Sequence, residues 1–316
     1  MYRFTLILLS LVLTGCPLVI KEPIKKPSPS QTQLIILGNV QDAGSPHIGC
    51  TKSCCADLFI NPDPNRQVVS LGLVDHSNHK SYLFDATPDI SRQLKTLKQQ
   101  DSSLREMPNG IFLTHAHIGH YAGLMYLGKE AISANCVPVY AMPRMQQFLQ
   151  NDGPWSQLVA HNNIDIRPIS NHIPIQLNDS LSVTPFRVPH RDEFSETVGF
   201  TIKGSQSSAL FIPDIDKWSK WEMDLIAEIS KVTYVFVDAT FYDGDEIKSR
   251  DISEIPHPFV IETMELLKDL TDTEKAKVHF IHLNHTNPLL NPTSSQTKAV
   301  LKAGFNIARI GDSFSL

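Results

Sequence analysis

The ends of the apolar segments are the feature that most constrains how this 316-residue chain can fold. Six segments with the composition of buried β-strands are each followed by an aspartate or a histidine. These residues are Asp85, His115, His190, Asp214, Asp238 and His282. Strands of one sheet tend to present their ends along a common edge, and Asp and His are side chains that bind divalent metals. The pattern therefore predicts a metal site at the edge of a sheet.

The segment FLTHAHIGHYAGL, residues 112–124, contains three of the thirteen histidines of the chain. His115 and His117 are two positions apart, so in an extended chain both side chains point to the same side and can bind one ion. His120 lies beyond a turn at Gly119, which lets it face a neighbouring position. Neutral imidazole suits zinc and iron, so this segment is the predicted start of the metal site.

The first 16 residues, MYRFTLILLSLVLTGC, have the features of an export signal. Arg3 precedes an apolar stretch, residues 4–13, that is too short to span a bilayer comfortably. The following Leu-Thr-Gly-Cys resembles a bacterial lipobox and predicts lipidation of Cys16; an ordinary cleaved signal with an incidental cysteine is the alternative. Residues 17–32, rich in Pro, Lys and Ser, are expected to form a tether. We therefore expect a lipid-anchored protein of the bacterial cell envelope, on the periplasmic face of a membrane.

Residues 33–316 are expected to form one mixed α/β domain. The chain is 41% hydrophobic and 19% charged, which allows a sizeable core at this length. Predicted strands alternate with helical patterns, among them residues 87–100 and 216–230. The formal charge of −5 gives no basic excess for a long nucleic acid, so nucleic-acid binding is not expected. A small-molecule substrate is expected instead.

The order of these residues resembles the metallo-β-lactamase superfamily. The mark of that family is H-x-H-x-D-H after a strand, then a distant His, an Asp and a final His, each at a strand end. The matching metal ligands here are His115, His117, His120, His190, Asp214 and His282. Asp85 matches an early aspartate that supports the ligands through hydrogen bonds. The resemblance implies a single-domain αββα sandwich with the site on one sheet edge.

Two further segments are similar to one branch of that superfamily, which contains the coenzyme PQQ synthesis protein B and phosphonate-pathway phosphodiesterases. They are LGNVQDAGSPHIGC near the start of the domain and FIHLNHTNPLL near its end. His257, just before a predicted helix, matches a position where related phosphodiesterases and tRNA-processing nucleases often keep a functional histidine. The resemblance thus implies a catalytic role for His257 beside Asp214, with helix capping or a surface position as the alternative.

The chain departs from the family pattern at Gly119, where the family has an aspartate that binds the second metal. The second site would therefore contain His120, Asp214 and His282 without a fourth protein ligand. Asp238, His285 or a water could compensate. The site is expected to hold one or two ions, with zinc as the expected metal and iron or manganese as alternatives.

Three cysteines are clustered in the stretch CTKSCC, at Cys50, Cys54 and Cys55. Adjacent cysteines rarely pair with each other, and an exported protein can form disulfides. One disulfide, free thiols and a structural zinc site all remain open from the sequence.

The function that the resemblance implies is metal-dependent hydrolysis of a small ester or a phosphodiester-type compound. The ion would be held by His115, His117 and His190, and its charge lowers the pKa of bound water from about 15.7 to near 7. Asp214 would bridge two ions or orient that water. Two alternatives remain, because a superfamily determines site geometry better than substrate. They are an iron- and oxygen-dependent oxidase similar to the PQQ synthesis protein, and a non-catalytic metal-binding lipoprotein.

Overall fold

The computed structural model describes residues 32–247 and 255–316. The predicted signal peptide, its lipidation site Cys16 and the tether up to residue 31 lie outside the described residues. Within the two described ranges, no helix is both long enough and apolar enough to cross a bilayer.

Fourteen strands in the described part of the chain form two seven-stranded sheets. The first sheet has the order β14-β1-β2-β3-β4-β5-β6 and contains β1 (Thr32–Gly38), β2 (Ser70–Asp75), β3 (Lys80–Phe84), β4 (Gly110–Phe112), β5 (Val137–Ala141), β6 (Ile164–Pro168) and β14 (Ser313–Ser315). The second has the order β13-β12-β11-β10-β9-β8-β7 and contains β7 (Ile175–Asn178), β8 (Leu181–Arg187), β9 (Val198–Lys203), β10 (Ser208–Ile212), β11 (Tyr234–Asp238), β12 (Val278–Ile281) and β13 (Asn306–Ile307).

The helices lie mainly between strands along the chain and cover the outer faces of both sheets. Their bounds are α1 (Ser53–Ala56), α2 (Ile90–Lys98), α3 (Ile118–Tyr121), α4 (Pro143–Asn151), α5 (Trp155–Ala160), α6 (Leu225–Ser230), α7 (Val260–Leu266), α8 (Asp272–Lys275) and α9 (Ser295–Lys302). Helices α2, α4 and α5 contribute apolar side chains to a core against the first sheet, and α6, α7 and α9 to a core against the second.

Alternation along the strands explains the layered arrangement. In β1, Leu34 and Ile36 pack into the core between the two sheets, whereas Ile35 and Leu37 pack into the core under the helices. Successive side chains of a strand point to opposite faces of the sheet, so a strand with apolar side chains on both faces is buried on both sides. The result is four layers, helix, sheet, sheet and helix. The predicted αββα sandwich is confirmed.

Parallel pairing brings the strand ends of each sheet together. In the first sheet β3 pairs parallel with β4, and in the second β10, β11 and β12 are parallel. The carboxyl ends of these strands therefore meet at one edge, which is where ligands bind in sheets of this kind. Asp85 and the segment from His115 follow the first pair, whereas Asp214, Asp238 and His282 lie at the ends of the second set.

The helix predicted for residues 216–230 is much shorter in the structure. Only α6 is helical, and the turn at Trp218–Lys220 is a separate 3₁₀ segment. The side chain of Asp224 accepts hydrogen bonds from the backbone N–H groups of Ile226 and Ala227, so α6 begins after Asp224. The apolar periodicity alone did not indicate this cap.

Candidate metal centre

The carboxylate of Asp214 lies at the centre of a group of histidines from both sheets. Besides His257, its imidazole contacts are His190 Nε2 at 3.2 Å, His115 Nε2 at 3.4 Å, and His117 Nδ1, His120 Nε2 and His282 Nε2 at 3.9 Å each. These donors form two sets in which all ligand atoms lie within 4.8 Å of one another. The first set is His115, His117, His190 and Asp214, and the second is His120, Asp214 and His282. The structure thus brings together all six predicted ligands.

Hydrogen bonds within the first set leave ring nitrogens free for an ion. Thr114 donates its hydroxyl proton to Asp85, so the same hydroxyl accepts from His115 Nδ1 at 2.9 Å. His190 Nδ1 lies 3.1 Å from Asp216 Oδ1 and donates to it. An imidazole that donates through Nδ1 presents Nε2 with a lone pair, and this is how ligating histidines are usually oriented. Both side chains therefore offer Nε2 to the centre.

The second set is oriented in the same way. His120 donates from Nδ1 to Asp85 Oδ2 at 2.8 Å. Thr240 donates to Asp238 at 2.7 Å and accepts from His282 Nδ1 at 2.9 Å. Asp85 and Asp238 are both fully buried and occupy the supporting positions predicted for them.

Unsatisfied buried atoms indicate where an ion would fit. Polar atoms in a protein interior almost always have a hydrogen-bond partner, so a cluster without partners requires an explanation. Ten such side-chain atoms occur among the described residues, and half of them belong to this centre. They are Nε2 of His115, His117, His120 and His282, and Oδ1 of Asp214. A divalent cation would satisfy Oδ1 of Asp214 and the Nε2 atoms that face it, those of His115, His120 and His282, and the donor set of imidazoles and a carboxylate suits zinc.

The backbone is strained at two of the strand ends. Asp85 and His282 both have φ near +65°, in the left-handed region that non-glycine residues rarely adopt. Each such residue costs on the order of 1 to 3 kcal/mol and persists where the surrounding structure determines it. At both residues the chain turns sharply out of its strand. The turns direct the supporting residue Asp85 and the candidate ligand His282 toward the centre.

His257 is the remaining predicted catalytic residue, and the structure places it at the same centre. Its Nδ1 lies 2.8 Å from Asp238 Oδ2 and 3.1 Å from Asp214 Oδ1. It also lines a cavity of about 480 Å³ together with Gln41, Arg191, Thr240, Phe241, Ile255, Pro256 and Asn284. With Nδ1 held by the carboxylates, Nε2 is the atom left for exchange with a molecule in the cavity.

The charges of the centre are strongly coupled. Burial alone would lower the pKa of His190, but the Asp214 and Asp216 carboxylates raise it to about 9. Burial opposes ionisation of Asp238 as well, and the charge and hydrogen bond of His257 outweigh it, which brings its pKa to about 2. Burial and the neighbouring His120 hold the pKa of His115 well below its ordinary value. A cation that binds these side chains therefore competes with protons for them.

A second cluster of metal-binding side chains lies at the cysteines. The Sγ atoms of Cys50 and Cys54 are 3.9 Å apart, as are those of Cys54 and Cys55, and no disulfide joins them. His285 completes a set of four donors that all lie within 4.8 Å of one another. Burial and the neighbouring Cys55 raise the pKa of Cys54 to about 12. Three thiols and one imidazole match the composition of a structural zinc site.

The prediction that His285 supports the first centre is therefore wrong in its placement. His285 stacks on His47, with ring centroids 4.4 Å apart, and faces the cysteine cluster. Its position results from the turn after His282, which carries the chain from one cluster to the other. Sequence proximity to a candidate ligand was a misleading indicator here.

Sequence reasoning also missed three hydrogen-bonding partners, Thr114, Thr240 and Asp216. Each is within two positions of a predicted site residue, in LTH, DAT and DID respectively. Proximity to a strand-end Asp or His is a signal that would have found them. Their role is visible only once the imidazole orientations are known.

Comparison with known proteins agrees with this geometry. The family described as the beta-lactamase superfamily domain matches residues 80–282. Coenzyme PQQ synthesis protein B of Xanthomonas campestris pv. campestris is 25% identical over 307 residues, covering 90% of this chain and all of the relative. The same protein of Methylorubrum extorquens is 23% identical, covering 88% of this chain and 98% of the relative.

Two solved structures show the same fold. Zn²⁺-bound PqqB from Methylobacterium extorquens has a TM-score of 0.72 and 21% identity, covering 90% of this chain and all of that one. A diphosphatase from the PhnP family has a TM-score of 0.61 and 20% identity, covering 90% of this chain and 97% of that one.

The cysteine cluster generates a prediction about zinc content. Replacing Cys50→Ser removes one donor, so purified protein is expected to lose one zinc ion per chain in elemental analysis. Because thiols must lose protons to bind, and the pKa of Cys54 is raised, zinc affinity of this cluster should rise about tenfold or more per pH unit near neutrality. The exposed Cys136→Ser is the matched control and should keep the wild-type content. Unchanged zinc in Cys50→Ser would contradict the assignment.

Proposed function

This chain belongs to the metallo-β-lactamase superfamily, and we propose that it is a metal-dependent hydrolase of a small phosphodiester or related ester. The observation that carries the proposal is the convergence of six histidines on the buried carboxylate of Asp214. The Nε2 atoms of His115, His120 and His282, which face that carboxylate, lack any hydrogen-bond partner. Such a set is costly to bury unless a cation satisfies it.

The residues that would hold the first ion are His115, His117, His190 and Asp214, and we propose zinc as that ion. A divalent cation held there would lower the pKa of a bound water, so that hydroxide would be available as the nucleophile at neutral pH. The chain supplies the orientation, because Thr114 and Asp216 fix the imidazoles of His115 and His190. A second ion would be held by His120, Asp214 and His282.

The cavity beside the centre supports a small polar substrate. Among the described residues that line it, Arg191 contributes a guanidinium, and Gln41 and Asn284 contribute amide groups. A guanidinium pairs with phosphate oxygens through two parallel hydrogen bonds, so Arg191 is suited to binding a phosphodiester. The structural likeness to a PhnP-family diphosphatase is consistent with this substrate class.

His257 is proposed to give a proton to the leaving group. It lines the cavity, and its Nδ1 contact with Asp238 orients the ring and leaves Nε2 available. Proton transfer by a positioned side chain of this kind contributes about 10²- to 10⁴-fold to a rate.

One observation favours a second candidate function. The curated relatives that match nearly the whole chain are named coenzyme PQQ synthesis protein B, so an iron- and oxygen-dependent oxidation is the alternative. The same imidazole and carboxylate donors bind iron. Loss of activity under anaerobic conditions, with iron as the bound metal, would favour oxidation over hydrolysis.

We also propose that the protein is exported and anchored through a lipid on Cys16, with the domain on the periplasmic face of a bacterial membrane. The support is the sequence of residues 1–16, in which a short apolar stretch leads directly to Leu-Thr-Gly-Cys. Expression in a bacterial host should place the protein in the membrane fraction, and Cys16→Ser should release it. Membrane association that persists in Cys16→Ser would contradict lipid anchoring.

The first centre generates a prediction about both metal and activity. His115→Ala removes a fully buried donor, so the bound metal of this centre should decrease and hydrolysis of bis(p-nitrophenyl) phosphate should fall at least about 100-fold. Metal per chain and initial rates are measured together, and the exposed His161→Ala serves as the control. If neither metal content nor rate depends on His115, the chain is a binding module or has no metal centre here.

The role of His257 generates a prediction about leaving groups. For a diester with an alkyl alcohol as leaving group, His257→Ala should lower kcat about 10²- to 10⁴-fold, because the departing alkoxide needs a proton. For a nitrophenyl diester the loss should be much smaller, because nitrophenolate is a stable anion. An equal loss with both substrates would show that His257 acts only on the structure of the site.

A further inference from the structure

The position that should hold the second metal's aspartate cannot carry any side chain in this fold. A Cβ atom added to Gly119 would lie 1.9 Å from Cβ and 2.4 Å from Cα of Asp42. Contacts below 3.0 Å between such atoms do not occur in real structures. Glycine is therefore required at position 119, because Asp42 occupies the space into which a side chain there would extend.

The overlap also shows where the side chain of Asp42 begins. Its Cβ lies 1.9 Å from the position that the Cβ of an aspartate at 119 would take. The side chain of Asp42 therefore begins in the same region as the aspartate side chain that the family has at 119. The residue immediately after Gly119 is His120, a candidate ligand for the second ion.

Backbone contacts fix Asp42 against the other side of the same site. The N–H of Gln41 donates to the carbonyl of Leu283 at 2.9 Å, and Val40 forms a β-bridge with Leu283. Leu283 directly follows His282, another candidate ligand. Asp42 thus lies between the turn that carries His120 and the strand end that carries His282.

One oxygen of the Asp42 carboxylate lacks a hydrogen-bond partner. Its Oδ1 is inaccessible to solvent and has no hydrogen-bond partner, as is true of Nε2 of His120 and His282 and Oδ1 of Asp214. Buried carboxylate oxygens without a donor are expensive, and a cation would relieve the cost.

We propose that Asp42 replaces the missing aspartate and is a ligand of the second metal ion, together with His120, Asp214 and His282. This proposal rests on the metal centre of the proposed function and goes beyond it by completing the second site. In the structure the oxygens of Asp42 lie outside the set formed by His120, Asp214 and His282, so the carboxylate would enter the site by turning about its side-chain bonds. It would come from the loop after β1 instead of from the histidine-rich segment. The chain thereby has four protein ligands for the second ion despite Gly119.

The test compares metal binding by the wild-type protein and by Asp42→Asn. The amide keeps the shape of the side chain and removes the negative charge, so the fold should be preserved and is checked by thermal unfolding. Titration with zinc, monitored by calorimetry, should show one fewer tightly bound ion per chain in Asp42→Asn than in the wild type. If the ion still binds, its affinity should be at least about tenfold weaker. Asp179→Asn is the matched control, because Asp179 is exposed. It lies in the turn between β7 and β8, at the end of β8 that is farther from His190.

Anomalous diffraction from zinc-loaded wild-type crystals provides an independent measurement. An ion about 2.0 to 2.2 Å from an Asp42 oxygen, bound also by His120 and His282, would establish the proposal. An unchanged zinc stoichiometry and affinity in Asp42→Asn, or a second ion without Asp42, would overturn it and leave the hydrolase proposal intact. Loss of the His115-dependent ion alone concerns the proposed function, because Asp42 is not among the donors of that ion.

Discussion

The site depends on one buried carboxylate, that of Asp214. It contacts imidazoles from four separate segments, which contain His115 to His120, His190, His257 and His282. Burial opposes the ionisation of Asp214, yet the charges of His190, His257 and His282 hold its pKa well below the ordinary value. The first of these segments belongs to one sheet and the others to the second sheet. The centre therefore forms only when the two sheets are packed, with Phe84, Phe112, Phe200, Phe211 and Phe236 in the core between them.

Much of this arrangement could be predicted from the sequence, because it follows local rules. Strand-length apolar segments indicated the sheets, and parallel strands that end at one edge bring their next residues together. The candidate ligands His115, Asp214 and His282 each follow such a strand, so a short window of sequence was sufficient to identify them. The mixed α/β class followed from the same segments, whereas the αββα layering followed from the family resemblance alone.

Other parts depend on contacts between distant residues and could not be predicted in this way. The three-residue strand β14 pairs with β1, with Gln33 opposite Ser315, and carries too little pattern to be recognised. The position of His285 depends on the conformation of the turn after His282, which the pattern of apolar residues does not predict. The approach of Asp42 to Gly119 joins residues far apart in the chain, so the sequence showed the absence of one carboxylate without indicating the other.

The two clusters of metal-binding residues share the same short pieces of backbone. His282 and His285 lie three positions apart on one turn, and Asp42 and Cys50 lie eight positions apart on one loop. The hydrogen bond from Gln41 to Leu283 joins the loop to the turn, so a shift of the backbone at one cluster is transmitted to the other. A single-residue insertion or deletion in either piece would shift both clusters at once. These two stretches should therefore keep a fixed length through evolution even where their side chains change.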